Sequence, residues 1–261
     1  MNLIHVSASH PRPIIHRADL LQPWEWLRLG YRDFRRAAAD ALLYGVAFVL
    51  MGLWLTFYLA DAPVVAITLA TLFLLAGPFL AIGLFDLARQ MESFDGRGKA
   101  RLMHSLTAWR ANLPALTLYA ALLTMLVFAW FRLSLLMFAL FFDAATLVSL
   151  DSLLGSLQQP GNFGFLLAYF GLGFLFAAVV FAVSAVSIPM MLDQDVDTFT
   201  AMVASVQAVY HNLLTMALWA VMIVALTAVG FATYFVGLII IMPVIALASW
   251  HAYRALITFE R

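Results

Sequence analysis

The chain has 261 residues, of which 65% are hydrophobic and 11% charged, and its mean hydropathy is +0.97. A soluble domain has about 25% charged residues and too little interior to hide so much apolar surface, so a soluble globular protein and a disordered one are both excluded. The 14 basic residues balance the 14 acidic ones and cysteine is absent, so neither nucleic-acid binding nor thiol chemistry is indicated.

The first predicted helix follows an N-terminal segment, residues 1–22, which we expect to be a flexible cytoplasmic tail. From Pro23 on, Leu27, Tyr31 and Phe34 recur at helical spacing, and arginines occupy the other face. Such a helix is predicted to lie on the anionic cytoplasmic leaflet, with a partner surface as the alternative. The expected membrane-surface anchors are Trp24, Trp26, Arg28, Arg32 and Arg35.

Six apolar stretches are each about as long as a membrane-spanning helix, which needs roughly 20 residues. They do not alternate between apolar and polar residues, so helices are predicted rather than the strands of a barrel. The fourth stretch is longer than one crossing requires and is expected to tilt or to extend into the cytoplasm. The predicted spans are Leu42–Ala60, Val64–Phe85, Leu113–Phe131, Phe163–Leu192, Leu213–Ala232 and Tyr234–Ala252.

Basic residues set the expected orientation of these spans. Of the 14 lysines and arginines, only Arg132 falls on the side opposite to all the others. The positive-inside rule therefore predicts that both termini are cytoplasmic. The first apolar stretch begins too far into the chain for a cleaved signal peptide.

The chain also aligns with itself. Ser105–Leu113 matches Ser205–Leu213, and Gly30–Ala37 is a weaker third copy. The inner ends of the even-numbered spans match likewise, because Phe85-Asp86-x2-Arg89 corresponds to Trp250-His251-x2-Arg254 and Leu192-Asp193 resembles Phe85-Asp86. These matches indicate an internal repeat, and coincidence among apolar helices is the alternative.

The repeat predicts an all-α, polytopic membrane fold. One domain, residues 23–261, would contain three parallel two-helix units, each preceded by a cytoplasmic amphipathic helix. Two spans per unit keep all units in the same orientation, around a pseudo-threefold axis along the membrane normal. The expected units are about 23–91, 99–194 and 197–258.

The middle unit contains an extracytoplasmic insert, residues 132–162, that is unusually apolar. A loop facing water would be polar, so we expect this insert to cap the outer ends of the spans or to dock on another membrane protein. The candidate partner contacts are Leu135, Leu136, Phe138, Phe141, Phe142, Leu147, Leu150 and Leu153.

No known catalytic or phosphate-binding motif is present, so we expect neither enzymatic activity nor a bound cofactor or metal. His104, His211 and His251 fall at predicted membrane boundaries, where hydrogen bonding is expected rather than metal or haem ligation. Asp86 lies near the same boundary, and its carboxylate is expected to pair at the surface with Arg89 or with Arg35 and Arg36.

Prolines and glycines within the spans have two interpretations. Pro78 and Pro243 interrupt the second and sixth spans at corresponding positions, and paired broken helices are typical of a transport site. A kink that lets the units pack is the simpler interpretation. Close helix packing is also expected at glycines seven positions apart, which are Gly45 with Gly52 and Gly164 with Gly171.

Four short motifs carry a family resemblance: Trp26–Tyr31, Gly77–Arg89, Pro189–Asp193 and Trp250–Arg254. In this order they resemble the bacterial integral membrane proteins grouped as domain of unknown function 2189, over about Trp24 to Leu256. The resemblance implies a bacterial inner-membrane location and supplies no activity. Some members of that family are labelled as cytochrome c oxidase subunits, which implies association with respiratory membranes.

Two functions are consistent with these features. The first is a non-enzymatic accessory, assembly or scaffolding subunit of a membrane complex, which the resemblance would make a respiratory oxidase. Its partners would be the lipid bilayer and another integral membrane protein. The second is a small channel or carrier for a neutral or lipid-like solute, although no span has the ionisable residue at mid-membrane that coupled carriers normally use.

Overall fold

Helices make up nearly all of the residues that the computed structural model describes, which are 12–61, 81–93, 102–142 and 159–260. Two short strands, β1 (Pro13–Ile15) and β2 (Ile257–Phe259), pair in an antiparallel ribbon. The helices are α1 (Gln22–Arg36), α2 (Ala38–Asp61), α3 (81–93), α4 (Leu102–Ser105), α5 (Leu113–Phe141), α6 (Phe163–Ser184), α7 (Ser187–Asp193), α8 (Thr198–His211), α9 (Leu213–Ala232) and α10 (Leu238–Leu256).

The apolar helices confirm the all-α prediction, with four to five candidate spans in the described ranges. Four segments are long and apolar enough to cross a bilayer by themselves, and α1 with α2 forms a bent fifth candidate. The predicted second span, Val64–Phe85, lies mostly outside the described residues. The four segments are Leu113–Phe141, Phe163–Asp193, Leu213–Ala232 and Leu238–Leu256.

The first helix lies across the helix that follows it, because the chain turns by 107° between α1 and α2. Trp26, Gly30 and Phe34 recur every four residues, so all three fall on the buried face of α1. Trp26 is only 1% exposed and its ring meets Trp219 edge to face at 5.9 Å. The structure therefore places Trp26 in the core, whereas we expected a membrane-surface anchor.

α10 forms the centre of the described fold and packs against α1, α2 and α9. Glycines on the neighbouring helices allow this close approach. A Cβ atom on Gly30 would lie 2.5 Å from the backbone nitrogen of Ala248, and one on Gly45 would overlap the backbone of Ile239. Each crossing therefore depends on a residue without a side chain.

The packing role expected for Gly45 and Gly52 is confirmed, because a Cβ atom on Gly52 would lie 2.6 Å from the ring of Phe235 and one on Gly45 would overlap the backbone of Ile239. The structure gives no such role to Gly164 and Gly171. Among the described residues, no atom comes within 4 Å of a Cβ built at either position. Two glycine pairs with the same spacing in the sequence thus have different surroundings: one pair packs against neighbouring residues and the other does not.

The ribbon brings residues near the two ends of the sequence together. Pro13 pairs with Phe259, and the side chain of Asn212 donates to the carbonyl of His16 (3.0 Å) and accepts from the amide of Ala18 (2.7 Å). Residues 13–22 were expected in a flexible tail, but these hydrogen bonds hold them against the helices. We call this side of the fold the ribbon end, and the side with the turn at 233–237 the hairpin end.

At the ribbon end, each short helix packs against a longer helix from another part of the chain. α1 packs on α10, and α8 packs on α6 and α7. Ser205 of α8 donates to the carbonyl of Ala182 on α6 (2.7 Å), and His104 of α4 bonds to Asp86 of α3. α8 begins at an N-cap, Asp197, whose carboxylate accepts from the hydroxyl and the amide of Thr200, and these hydrogen bonds lower the pKa of Asp197.

The glycine contacts generate a paired prediction. Gly45→Leu should force α2 away from α10 and reduce the free energy of unfolding by roughly 1–3 kcal/mol or more, because the backbone of Ile239 has no room to move aside. Gly171→Leu adds the same side chain at a position where no atom of the described residues lies within 4 Å of the Cβ, and should leave stability nearly unchanged. Denaturation of both purified variants in detergent measures the difference, and equal losses would contradict the packing assignment.

Candidate functional site

Charged and polar side chains concentrate at the ribbon end, and Asp86 on α3 is the most deeply buried charged residue in the described part of the chain. The residue is 0% exposed, and its carboxylate accepts hydrogen bonds from Arg89 (2.7 Å), Gln90 (2.6 Å) and His104 (2.7 Å). The pairing of Asp86 with Arg89 confirms the expectation from the sequence. A carboxylate away from water requires such donors, so this group fixes the position of α4 against α3.

Arg89 extends the same network to a third helix. Its second guanidinium nitrogen donates to the carbonyl of Leu192 on α7 at 2.7 Å. The orphan carbonyl near the C-terminus of α7 is thus satisfied by a cation, which also suits the negative end of the helix dipole. One arginine therefore links a buried carboxylate to a helix end.

A second polar group joins α3, α7 and α10. Glu92 accepts from the indole nitrogen of Trp250 (3.0 Å) and from Arg254 (3.0 Å). Asp193 at the end of α7 accepts from the hydroxyl of Tyr253 (2.8 Å) and contacts Arg254 at 3.4 Å. Arg254 therefore lies between two carboxylates that belong to different helices.

A third polar contact joins α1 to α10. Nε2 of His251 donates to the carboxylate of Asp33 at 2.7 Å, and both side chains are largely buried. Arg32 and Arg36 also lie near Asp33, at 3.7 and 3.8 Å. These distances exceed hydrogen-bonding range, so His251 is the closest partner of this carboxylate among these three.

The histidines at the predicted membrane boundaries make the hydrogen bonds expected of them. His104 bonds to Asp86, His251 bonds to Asp33, and His211 bonds to the carbonyl of Gln207 at 2.8 Å. In the part of the chain that the structure describes, no group of three or more His, Asp or Glu side chains is arranged to hold a metal ion.

The expected surface anchors on α1 divide into two sets. Trp24 is 57% exposed, and Arg28, Arg32 and Arg35 are exposed as well, whereas Trp26 is buried. Two depressions adjoin the exposed side of the helix, one lined by arginines and the other by apolar side chains. The polar face of α1 is therefore available to the surroundings of the protein.

The expected partner-contact residues also divide. α5 continues as a helix to Phe141, and Leu135, Leu136 and Phe141 lie on its exposed side. Phe138 and Phe142 turn towards α6, where both rings contact Phe165, and the half-exposed ring of Phe141 also contacts Phe165 at 5.3 Å. Leu147, Leu150 and Leu153 lie outside the described residues, as does Pro78. Pro243 is inside α10 and buried.

Sequence reasoning did not assign Asp33, Glu92 or Tyr253 to any contact. A signal was present, because the aligned motifs at the ends of the even-numbered spans contain Asp86, Arg89, Asp193, His251 and Arg254, and all five belong to the polar contacts described above.

Residues 64–193 match the family described as "Predicted integral membrane protein (DUF2189)". Over these residues the chain belongs to that family. The resemblance is confirmed over these residues, which contain the Gly77–Arg89 and Pro189–Asp193 motifs, and with the apolar helices it makes this a multi-pass integral membrane protein surrounded by a lipid bilayer. The match includes Asp86, Arg89, His104 and Asp193. No curated protein and no solved structure matches the chain.

The Asp86 contacts predict a specific loss of stability. Asp86→Ala removes an acceptor shared by three donors and should reduce the free energy of unfolding by roughly 2–4 kcal/mol. Asp195→Ala is the matched control, because Asp195 is exposed. Unfolding of both variants in a denaturing detergent titration gives the comparison. A similar midpoint for the two would contradict a structural role for the Asp86 carboxylate.

Proposed function

We propose that this protein is a non-enzymatic accessory or scaffolding subunit of a bacterial inner-membrane complex, and that it contacts its partner through the outer part of the α5–α6 hairpin. The observation that carries this proposal is the length and the exposed apolar surface of that hairpin. The respiratory oxidase label of some family members suggests the kind of complex. The exposed apolar side of the α5–α6 hairpin suggests the surface that would contact it.

Two helices with the same starting point differ in length. α5 begins directly after Asn112 and has 29 residues, whereas α9 begins directly after Asn212 and has 20. At 1.5 Å per residue, α5 extends about 14 Å further towards the outer side than α9. It is also longer than the roughly 20 residues that cross a bilayer. Its last two turns therefore project beyond the neighbouring hairpin or tilt strongly.

Aromatic contacts make this projection rigid. The ring of Phe165 on α6 lies 5.1 Å from that of Phe138 and 4.8 Å from that of Phe142, and Tyr169 lies 5.3 Å from Phe138. The hydroxyls of Ser134 and Tyr169 are 3.0 Å apart. Such packing orders the two helices before any partner binds, which lowers the entropic cost of association.

The opposite face of the projection is apolar and open. Leu136 is 54% exposed, Leu140 is 71% exposed and Phe163 at the start of α6 is 68% exposed. Contiguous apolar surface on an ordered helix pair is typical of contact with lipid or with another membrane protein. Rigidity together with exposure supports a protein contact, although capping of the spans by the same segment is the alternative.

The contacts at the ribbon end support the repeated architecture. α4 contacts α3, α8 contacts α6 and α7, and α1 contacts α10, so each of these short helices meets the ribbon end of the second predicted span of the preceding expected unit. The third of these contacts joins the first expected unit to the third, as a pseudo-threefold arrangement requires. We infer three units and six spans on this basis. The arginines of α1 support a cytoplasmic ribbon end.

Site-specific photocrosslinking tests the partner surface. A photoreactive amino acid at Leu136 or Leu140 should give one protein adduct of defined mass in native membranes. Val224 on α9, which is 69% exposed, is the lipid-facing control and should give no such adduct. If all three positions crosslink to lipid alone, the accessory role at this surface is wrong.

The carrier function would need Pro243 to create a site within α10. Pro243 lacks the N–H that would bond to the carbonyl of Ile239, but Gly45 packs against that same backbone segment. A carbonyl covered by a neighbouring helix favours a packing role for the kink. We therefore expect Pro243→Ala to leave solute uptake into proteoliposomes unchanged across neutral and lipid-like solutes. A reproducible change in uptake would support the carrier instead.

A further inference from the structure

We propose that α1, α9 and α10 bind one anionic phospholipid of the leaflet next to the ribbon end. Its phosphate would lie against Arg28 and Arg32, and one acyl chain would lie in the groove between α1 and the α9–α10 pair. This site is separate from the α5–α6 surface, so the proposal does not depend on the accessory role.

The groove has the size and lining expected of an acyl-chain site. Its volume is about 380 Å³ and its walls are apolar apart from the head groups of Arg28 and Tyr31. One wall belongs to α1, and the other belongs to the two long helices beside it. The residues that line the groove are Trp24, Leu27, Arg28, Tyr31, Leu226, Ile240, Ile241 and Val244.

A basic depression of about 570 Å³ continues from this groove, because Arg28 and Tyr31 line both. Arg32, Arg35 and Arg36 add three further positive charges, and Glu25 is the one acidic residue in its lining. The continuous surface is therefore an apolar slot that opens into a cluster of arginines. Charge complementarity favours a ligand with an anionic head and an apolar tail.

The arginines retain capacity to bind an anion. Arg28 lies 3.7 Å from Glu25, and its side chain is 81% exposed. Arg32 lies 3.7 Å from Asp33, whose carboxylate is already bonded to His251 at 2.7 Å. Neither ion pair reaches hydrogen-bonding distance, so both guanidinium groups can turn towards a phosphate.

The direction of the groove matches the orientation of a lipid. α1 lies across α10 at Ala248, where Gly30 touches the backbone. Val244 and Ile240 precede Ala248 by four and eight residues, which places them about 6 and 12 Å further towards the hairpin end. The groove therefore runs from the arginines towards the middle of the membrane, as an acyl chain does. A free phosphate would use only the arginines, and an uncharged lipid would use only the groove.

Native mass spectrometry of the full-length protein tests the site. In mixed micelles with phosphatidylglycerol and phosphatidylcholine, the wild type should retain one phosphatidylglycerol. The double variant Arg28→Gln/Arg32→Gln should weaken its binding by roughly tenfold or more. Arg110→Gln is the matched control, because this arginine lies in the middle unit over the ring of Trp109 and should bind as the wild type does.

A second pair of variants tests the groove separately. Ile240→Trp fills the slot and should also weaken phosphatidylglycerol binding, whereas Val224→Trp adds the same ring at an exposed position away from it. Thermal unfolding of every variant shows whether each one is folded. Glycerol phosphate is added as a competitor, and it should displace phosphatidylglycerol only if the head group alone accounts for binding. Equal retention of the two lipids, effective competition by glycerol phosphate, or unchanged binding by Ile240→Trp would each overturn the proposal.

Discussion

Three carboxylates that are largely withdrawn from solvent, on Asp33, Asp86 and Asp193, determine which helices meet at the ribbon end. Lipid tails are as apolar as leucine, so burial of apolar surface does not select one helix face over another within a membrane. A buried carboxylate does select, because it must be met by donors at defined distances. The principal donors lie on α10 for Asp33 and Asp193, and on α3 and α4 for Asp86.

Glycine contacts and polar contacts act together at the crossing of α1 and α10. Gly30 meets Ala248, and three residues further along both helices Asp33 meets His251. The first contact sets the distance between the two axes, and the second sets their register. A larger residue at position 30 would separate the histidine from its carboxylate, so neither contact holds the crossing without the other.

The sequence predicted those features that depend on composition or on short spacing. The apolar segments, the pairing of Asp86 with Arg89 and the glycine contact at position 45 are of this kind. It did not predict contacts between residues far apart in the chain, such as Asp33 with His251 or Pro13 with Phe259. Trp26 shows the reason: helical periodicity places it on one face of α1, but only α9 and α10 decide whether that face meets lipid or protein.

The two ends of the fold use their side chains differently, and this contrast indicates where external contacts lie. At the ribbon end, the buried carboxylates of Asp33 and Asp86 and the side chains of His104, His251 and Asn212 are occupied by internal hydrogen bonds. Arg28 on α1, whose side chain is 81% exposed, and Leu140 on α5, which is 71% exposed, are among the most exposed side chains of their helices. Their chemistry suits contacts with the surroundings: a phosphate for the arginine, and lipid or a second protein for the leucine.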